Sequence, residues 1–262
     1  MKSISARHLS YSYSSGPGKK DDSGLKVLEN ISFTIVPGRF LVILGKSGCG
    51  KTTLLNLIAG LLEPREHQLL IDEKPITGPD PSRSYIFQTP RLLPWLNVKD
   101  NIAFGCRVRG DTYNLRNRIS EHIELIGLCD FETSYPANLS AGMAQRVAIA
   151  RALIGRPDIL LLDEPFTALD YYNRSRLQNE LIRLWNQFRF TAVFVTHDID
   201  EALTLGQRII ILGSQPSTII RSYDLDSAAP RDLTDGSFFE LKTEIQKALS
   251  QEQTGPNRGE NV

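Results

Sequence analysis

Short apolar runs alternate along the chain with longer segments whose apolar positions recur at helical spacing. A continuous apolar run bounded by polar residues is typical of a buried strand, and TTLLNLIAGLL and NRSRLQNELIRLWNQF, which follow two of these runs, have a helical pattern. Strands that alternate with helices predict a mostly parallel sheet. The predicted strands of this sheet include Phe40–Leu44, Ile159–Leu162, Ala192–Val195 and Arg208–Leu212.

Three regions depart from this alternation. Near the beginning, Ile4–Tyr13 and Lys26–Val36 predict two strands that pair, joined by a solvated loop, SSGPGKKDDSG. From about Thr89 to Arg156, helix-like stretches dominate and few β-rich runs occur. After about Gly236, one amphipathic helix, FFELKTEIQKAL, is followed by a polar end that we expect to fray.

These patterns predict a single α/β domain over residues 1–262. Its core covers about 1–88 and 157–235 and includes an N-terminal antiparallel β-subdomain. A helical subdomain is inserted at about 89–156, and a C-terminal helix and tail occupy about 236–262.

Composition narrows the classes of function. The chain has 262 residues, of which 41% are hydrophobic, which is enough for a sizeable core. Lys plus Arg equals Asp plus Glu, 30 against 30, so no basic surface for nucleic acid is expected. The three cysteines are widely spaced, which indicates a reduced protein rather than a disulfide or zinc scaffold. The first residues lack the apolar core of a signal peptide, and no apolar run approaches the roughly 20 residues that span a bilayer.

A glycine-rich loop follows the first apolar run of the sheet. The residues GKSGCGKT fit the pattern GxxxxGK[ST], between a strand and a helix. Glycines let successive backbone N–H groups face phosphate oxygens, and the helix adds its positive N-terminal end. We expect Lys51 to reach the β- and γ-phosphates, Thr52 to bind Mg²⁺ and Cys49 to fill the loop. The predicted phosphate-binding residues are Gly45, Lys46, Ser47, Gly48, Cys49, Gly50, Lys51, Thr52 and Thr53.

Two carboxylates end the apolar strand that begins at Ile159. In a parallel sheet, the carboxyl ends of the strands lie at the edge where phosphate loops open, so Asp163 and Glu164 are expected beside the loop. Asp163 suits Mg²⁺, directly or through its outer shell, and Glu164 suits a base that orients an attacking water. The alternative is a strand end that carries two solvated acids.

With these motifs the chain resembles the ATP-binding subunits of ABC transporters over almost its whole length. Gln88 in YIFQTP resembles the Q-loop, NLSAGMAQR the signature, Thr167–Asp170 the D-loop and His197 the switch histidine, in the order of the family. The resemblance implies a P-loop NTPase fold with a RecA-like core, and ATP and Mg²⁺ as ligands. It implies that Gln88 senses Mg²⁺ and water, that His197 contacts the γ-phosphate and that Tyr13 stacks on adenine, with Tyr11 as the alternative.

The resemblance also gives the signature a role. In the family, two subunits pack head to tail, and the phosphate loop of one faces the signature of the other. Ser140 would then direct its hydroxyl and the following N–H groups at a γ-phosphate, and the small residues Ala141 and Gly142 would allow close approach. Asp170 would help to organise the opposite site. Ala141 and Met143 depart from the commonest form, LSGGQ, so an inert signature is the alternative.

The segment after Gln88 resembles one group within the family. LLPW followed by VKDNI, with GPDPSR before the Q-loop, is similar to importers of nitrate, sulfonate, taurine or bicarbonate. In the family this region docks the membrane permease, and core packing is the alternative for Trp95. The residues of the implied contact are Arg91, Leu92, Leu93, Pro94 and Trp95.

The resulting hypothesis is an ATP-hydrolysing subunit of an importer, working as a homodimer or a paralogue dimer. It would lie peripherally on the cytoplasmic face of the cell membrane, with permease subunits as direct partners and an extracytoplasmic binding protein as an indirect one. The solute is not encoded in this chain. The alternatives are a soluble ABC ATPase of DNA repair or translation, a kinase or GTPase, and a module that binds ATP without turnover.

Overall fold

The computed structural model describes residues 1–13, 24–65, 67–167, 169–225 and 236–251. The predicted solvated loop, apart from Gly24, lies outside the described residues, as do Ala168 of the predicted D-loop and the predicted frayed end at 252–262.

Ten strands and seven α-helices occur in the described residues. The strands are β1 (Ile4–Tyr13), β2 (Leu25–Ile35), β3 (Phe40–Leu44), β4 (Leu69–Ile71), β5 (Lys74–Pro75), β6 (Arg83–Ile86), β7 (Ile159–Asp163), β8 (Thr191–Thr196), β9 (Arg208–Leu212) and β10 (Ile219–Asp224). The helices are α1 (Lys51–Ala59), α2 (Val98–Val108), α3 (Leu115–Leu125), α4 (Ala141–Leu153), α5 (Tyr171–Phe188), α6 (Ile199–Leu205) and α7 (Gly236–Gln251).

The strands form two sheets. One has the order β2-β1-β4-β5 and is antiparallel throughout. The other has the order β10-β9-β3-β8-β7-β6, and every pair in it is parallel except β10 with β9. The predicted combination of a mostly parallel core sheet with an antiparallel N-terminal sheet is confirmed.

The central strands explain why their sequences are continuously apolar. Every residue of β3, β7 and β8 is buried, because the larger sheet is covered on both faces. One hydrophobic cluster lies between the two sheets and includes the apolar face of α1, and a second lies on the opposite face with α5 and α6. The parallel strands therefore hold the loop after β3 and the carboxylates after β7 at one edge.

Helices α2, α3 and α4 enclose a third hydrophobic cluster of their own. The buried side chain of Asn101 fixes the segment that leads into α2. It accepts the Leu93 N–H at 2.8 Å and donates to the carbonyls of Leu93, Leu96 and Asn97 at 2.8 to 3.1 Å. One amide therefore sets the backbone that presents Pro94 and Trp95.

Strands β6 and β10 were not predicted, because most of their residues are half-buried or exposed and do not alternate. Helix α7 begins at Gly236, where an amphipathic helix was expected, and packs against α6. Among the described helices, none combines the length and apolarity that a membrane span requires.

Candidate active site

A cavity of about 320 Å³ opens at the carboxyl edge of the parallel sheet. It gathers residues from β1, β2, the loop after β3, α1, the end of β7 and the segments after β6, β7 and β9. The lining residues are Tyr13, Leu25, Val27, Ser47, Gly48, Gly50, Lys51, Thr52, Thr53, Gln88, Asp163, Glu164 and Gln215.

The glycine-rich loop has the backbone that its sequence predicts. Gly48 and Gly50 have φ values of 81° and 94°, in the left-handed region that favours glycine. Gly50 is the N-cap of α1 and has no side chain to satisfy the N–H groups of the first turn. Those donors therefore remain for an anion at the positive end of the helix. Gly45, Lys46 and Cys49 belong to the loop but are not among the residues described as lining the cavity.

Lys51 is buried within the loop. Its Nζ donates to the carbonyls of Gly45 and Lys46, both at 2.8 Å, and lies 3.5 Å from Glu164 Oε1. The ammonium group is thus held between the loop and the catalytic candidate, at the floor of the cavity. A phosphate placed there would meet a charged donor that is already positioned.

Asp163 binds two hydroxyl groups, one on each carboxylate oxygen. Thr52 Oγ1 donates to Oδ1 at 3.0 Å, and the Tyr85 hydroxyl donates to Oδ2 at 3.1 Å. Burial raises the pKa of Asp163 above its ordinary value, and both hydrogen bonds oppose that shift. A nearby cation would favour the ionised form. Mg²⁺ takes oxygen ligands from one or two carboxylates plus substrate phosphates, so Thr52 and Asp163 fit this ion.

Glu164 follows β7 with a φ of 43°, and its N–H donates to the Val195 carbonyl at 3.0 Å. The side chain accepts the Thr167 hydroxyl at 3.2 Å, and its Oε2 lies 3.0 Å from His197 Nδ1. His197 follows β8, the strand paired with β7, which explains how residues 33 apart come into contact. The arrangement holds a carboxylate at the cavity with its orientation fixed from two sides.

Tyr13, rather than Tyr11, lies at the cavity. Its hydroxyl lies 3.2 Å from Thr53 Oγ1, and its side chain is 41% exposed, as a surface for a planar base requires. Tyr11 packs against the core between the sheets and contacts the Tyr13 ring edge-on at 5.2 Å. Burial raises the pKa of Tyr11 above its ordinary value.

The signature residues lie at the start of α4 and are not among the residues that line the cavity. Ser140 is the N-cap, and its Oγ accepts the Met143 N–H at 3.2 Å. Ser140 and Ala141 are exposed, and a Cβ added to Gly142 would lie 3.9 Å from Leu169, an ordinary contact. Met143 is half-buried and packs against the helical cluster.

Asp170 also lies away from the cavity lining and caps α5. Its carboxylate accepts the Asn173 N–H at 3.0 Å and the Asn173 side-chain amide at 2.6 Å. The Asn173 backbone N–H is the main reason that the pKa of Asp170 is below its ordinary value. An ionised carboxylate therefore stands exposed at the N-terminus of α5.

The segment after β6 connects the cavity with the exposed surface. Gln88 lines the cavity, and the guanidinium of Arg91 lies 4.0 Å over the Phe87 ring. Leu92 packs against the helical cluster, whereas Trp95 is 69% exposed and so is not the core residue of the alternative interpretation.

Several site residues were not found from the sequence. Leu25, Val27 and Gln215 line the cavity, and Tyr85 binds Asp163. Only Tyr85 carried a signal, since it lies in the strand before Gln88, and parallel neighbours of β7 end near Asp163. The other three belong to the antiparallel sheet and to a distant turn, which local patterns do not place.

Comparison with known proteins gives concordant results. A family model described as ABC transporter matches residues 28–167. The aliphatic sulfonates import ATP-binding protein SsuB of Bacillus anthracis is 45% identical over 226 residues, covering 86% of this chain and 89% of the relative. An uncharacterised ABC transporter ATP-binding protein of Methanocaldococcus jannaschii, MJ0412, is 44% identical over 229 residues, covering 87% of this chain and 86% of the relative.

Among solved structures, the ATP-binding cassette MJ0796 resembles this fold with a TM-score of 0.72 and 30% identity. The likeness covers 86% of this chain and 100% of that one. That structure is a dimer in a post-hydrolysis state, bound to ADP and Pi.

Proposed function

Because this chain belongs to the ABC transporter family, as an ATP-binding protein with ATP hydrolase activity, we propose that it energises the import of a small anionic solute. Similarity to the sulfonate import proteins supports sulfonates, or anions of similar size and charge, as the solute class. The observation that carries the proposal is the convergence of Lys51, Thr52, Asp163 and Glu164 on one cavity at the sheet edge.

The loop and Lys51 act on the phosphates. The N–H groups at the start of α1 bind phosphate oxygens, and Lys51 exchanges its loop carbonyls for the β- and γ-phosphates. Thr52 and Asp163 would hold Mg²⁺, and Gln88 lines the same cavity. When bound, this ion neutralises charge on the β- and γ-oxygens. Tyr13 supplies the ring on which adenine stacks.

Glu164 is the proposed general base. Its carboxylate accepts a proton from water as the water oxygen bonds to the γ-phosphorus and the bond to ADP breaks. His197 holds Glu164 Oε2 and contacts the γ-phosphate as the site closes. Thr167 donates to the same carboxylate, so the base is oriented before nucleotide arrives.

A second copy, or a paralogue, completes the site. Ser140 and Ala141 are exposed at the N-terminus of α4, Gly142 follows them, and none of the three lines the chain's own cavity. Such an end binds anions, so it suits the γ-phosphate held by a partner. Asp170, ionised at the start of α5, would organise the opposite site across the same interface.

The segment Arg91–Trp95, of which Arg91, Pro94 and Trp95 are exposed, is the proposed contact with the permease. Trp95 offers a large apolar side chain on a backbone that Asn101 fixes. Such a side chain suits insertion into a groove of the permease. The chain would then lie peripherally on the cytoplasmic face of the membrane, and the permease and an extracytoplasmic binding protein would select the solute.

The test is the Glu164→Gln variant, measured by steady-state phosphate release and by nucleotide affinity. We expect hydrolysis to fall at least about 100-fold, because a general base contributes about 10²- to 10⁴-fold, with affinity nearly unchanged. The variant should also accumulate as an ATP-bound dimer in gel filtration.

The matched control is Glu244→Gln, which neutralises a surface carboxylate on α7 that binds Tyr223. It should hydrolyse ATP at the wild-type rate. Near-normal turnover in the Glu164→Gln variant would remove Glu164 from its role, and a wild-type chain that binds ATP without hydrolysing it would favour the binding-module alternative.

A further inference from the structure

The hydrogen bond between Tyr85 and Asp163 is used by no step of the proposed mechanism. Strand β6 pairs in parallel with β7, with Tyr85 opposite Leu161. From there the Tyr85 hydroxyl reaches past the strand end and donates to Asp163 Oδ2 at 3.1 Å. The other oxygen, Oδ1, accepts the Thr52 hydroxyl at 3.0 Å. Each oxygen of the carboxylate therefore accepts a hydrogen bond, one from α1 and the other from β6.

We propose that Tyr85 is a positioning residue for Asp163, which sets the plane of its carboxylate for Mg²⁺ bound with nucleotide. The inference rests on the proposed function, since it concerns the same site. Tyr85 acts through Asp163 and needs no contact with the nucleotide.

The Tyr85 ring is itself held in place. One part packs against the cluster between the two sheets, and the ring packs on Phe87 in a tilted arrangement, with centroids 4.4 Å apart and planes inclined by 31°. Arg91 covers Phe87, and its own carbonyl accepts a hydrogen bond from Arg151 of α4 at 2.9 Å. The ring that carries the hydroxyl is thus held by packing on the cluster between the sheets and on Phe87.

A fixed partner on Oδ2 has a direct consequence for the ion. A free aspartate rotates about its Cβ–Cγ bond, and each rotation changes which lone pair faces the ion. Holding Oδ2 leaves Oδ1 directed at Thr52, the other proposed ligand. Residues that orient metal ligands typically change metal affinity by about 10- to 100-fold when they are removed.

The Tyr85→Phe variant keeps the ring and its packing but removes the hydroxyl. Nucleotide affinity is measured in EDTA and at increasing Mg²⁺, and Mn²⁺ binding is followed by electron paramagnetic resonance with a non-hydrolysable ATP analogue. We expect the Mg²⁺ concentration at half-effect, and the Kd of Mn²⁺, to rise about tenfold. Nucleotide affinity in EDTA should equal that of the wild type. A packing defect would instead weaken nucleotide affinity both in EDTA and in Mg²⁺.

The matched control is Tyr223→Phe, which loses a similar bond, 3.1 Å long, from a tyrosine hydroxyl to Glu244 on the surface. Tyr223→Phe should change neither the Mg²⁺ concentration at half-effect nor the Kd of Mn²⁺. A second measurement combines Tyr85→Phe with Asp163→Asn. The loss of the hydroxyl should then raise the half-effect Mg²⁺ concentration and the Kd of Mn²⁺ no further, because both changes act through one contact.

Two results overturn the inference alone: an unchanged metal dependence in the Tyr85→Phe variant, or an equal loss of affinity in EDTA and in Mg²⁺. Nucleotide binding by the wild type that is indifferent to Mg²⁺ would overturn the proposed magnesium site and the inference together.

Discussion

Two helix N-termini of this molecule have the same electrostatic character but opposite surroundings. Helix α1 is capped by Gly50 at the cavity, whose lining also includes Asp163 and Glu164, and its first residue, Lys51, is buried. Helix α4 is capped by Ser140 on the exposed surface, where the Ser140 hydroxyl accepts the Met143 N–H of the first turn. Both ends carry the partial positive charge that favours anions.

The difference shows which part of the chemistry one chain can perform. The α1 end has an ammonium group, a hydroxyl and two carboxylates arranged around it, so we expect it to bind a triphosphate without a partner. The α4 end offers N–H groups and a hydroxyl but no acid, and Gly142 has no close neighbour that requires its lack of a Cβ. Substitutions at α1 should therefore damage the single chain, and substitutions at α4 only the assembled pair.

The largest effect is expected from Lys51→Ala. The buried ammonium group is lost, and the carbonyls of Gly45 and Lys46 lose their donor. ATP affinity of the isolated chain should fall roughly 10- to 100-fold, since hydrogen bonds to charged groups contribute about 1.5–3 kcal/mol. Titration with a fluorescent nucleotide measures this, with Lys99→Ala on α2 as the control. Unchanged affinity would contradict the assignment of the loop.

An intermediate effect is expected from Gly50→Ala. The residue has a φ of 94°, and an added Cβ would lie 2.8 Å from Val27 Cγ1. Backbone strain alone costs about 1–3 kcal/mol, so the free energy of unfolding should drop by at least that amount and nucleotide affinity should decrease with it. Urea denaturation followed by circular dichroism measures the loss.

Gly48→Ala is the matched control for this steric argument. Its φ of 81° is similarly strained, but no atom lies within 4 Å of the added Cβ. It should therefore destabilise the chain less than Gly50→Ala. Equal losses would show that strain of the backbone, not contact with Val27, sets the requirement for glycine.

The same contrast explains what the sequence could predict. The phosphate loop is a local pattern of eight residues between a strand and a helix, and strand order then places the acids of β7 beside it. Tyr13 could not be separated from Tyr11, because bulges shift the register of β1 at Leu9, Tyr11 and Ser12, which defeats simple alternation. Gln215 and Val27 reach the cavity through contacts between distant segments, which no local pattern encodes.

The signature shows a different limit of prediction from the sequence. Its helix start could be predicted from Ser140 and the apolar residues that follow, and the structure has the N-cap there. Its role against a second chain came from resemblance alone. Among the described residues of one chain, the signature does not line the cavity, so a role against a second chain stays a proposal.

The smallest effect on the isolated chain is therefore expected from Gly142→Ala. The added Cβ would lie 3.9 Å from Leu169 and 4.0 Å from Asn173, which are ordinary contacts, and alanine favours a helix over glycine by up to about 1 kcal/mol. Stability should stay equal or increase slightly, and ATP affinity at low protein concentration should not change. Hydrolysis at high protein concentration should still fall roughly tenfold or more, because displacements near 1 Å in a reacting site cost up to about 100-fold.

Gly105→Ala in α2, where the added Cβ meets no atom within 4 Å, is the control and should leave hydrolysis intact. A Gly142→Ala chain that hydrolyses ATP at the wild-type rate would mean that no phosphate approaches α4, and the two helix ends would then differ in function as well as in surroundings.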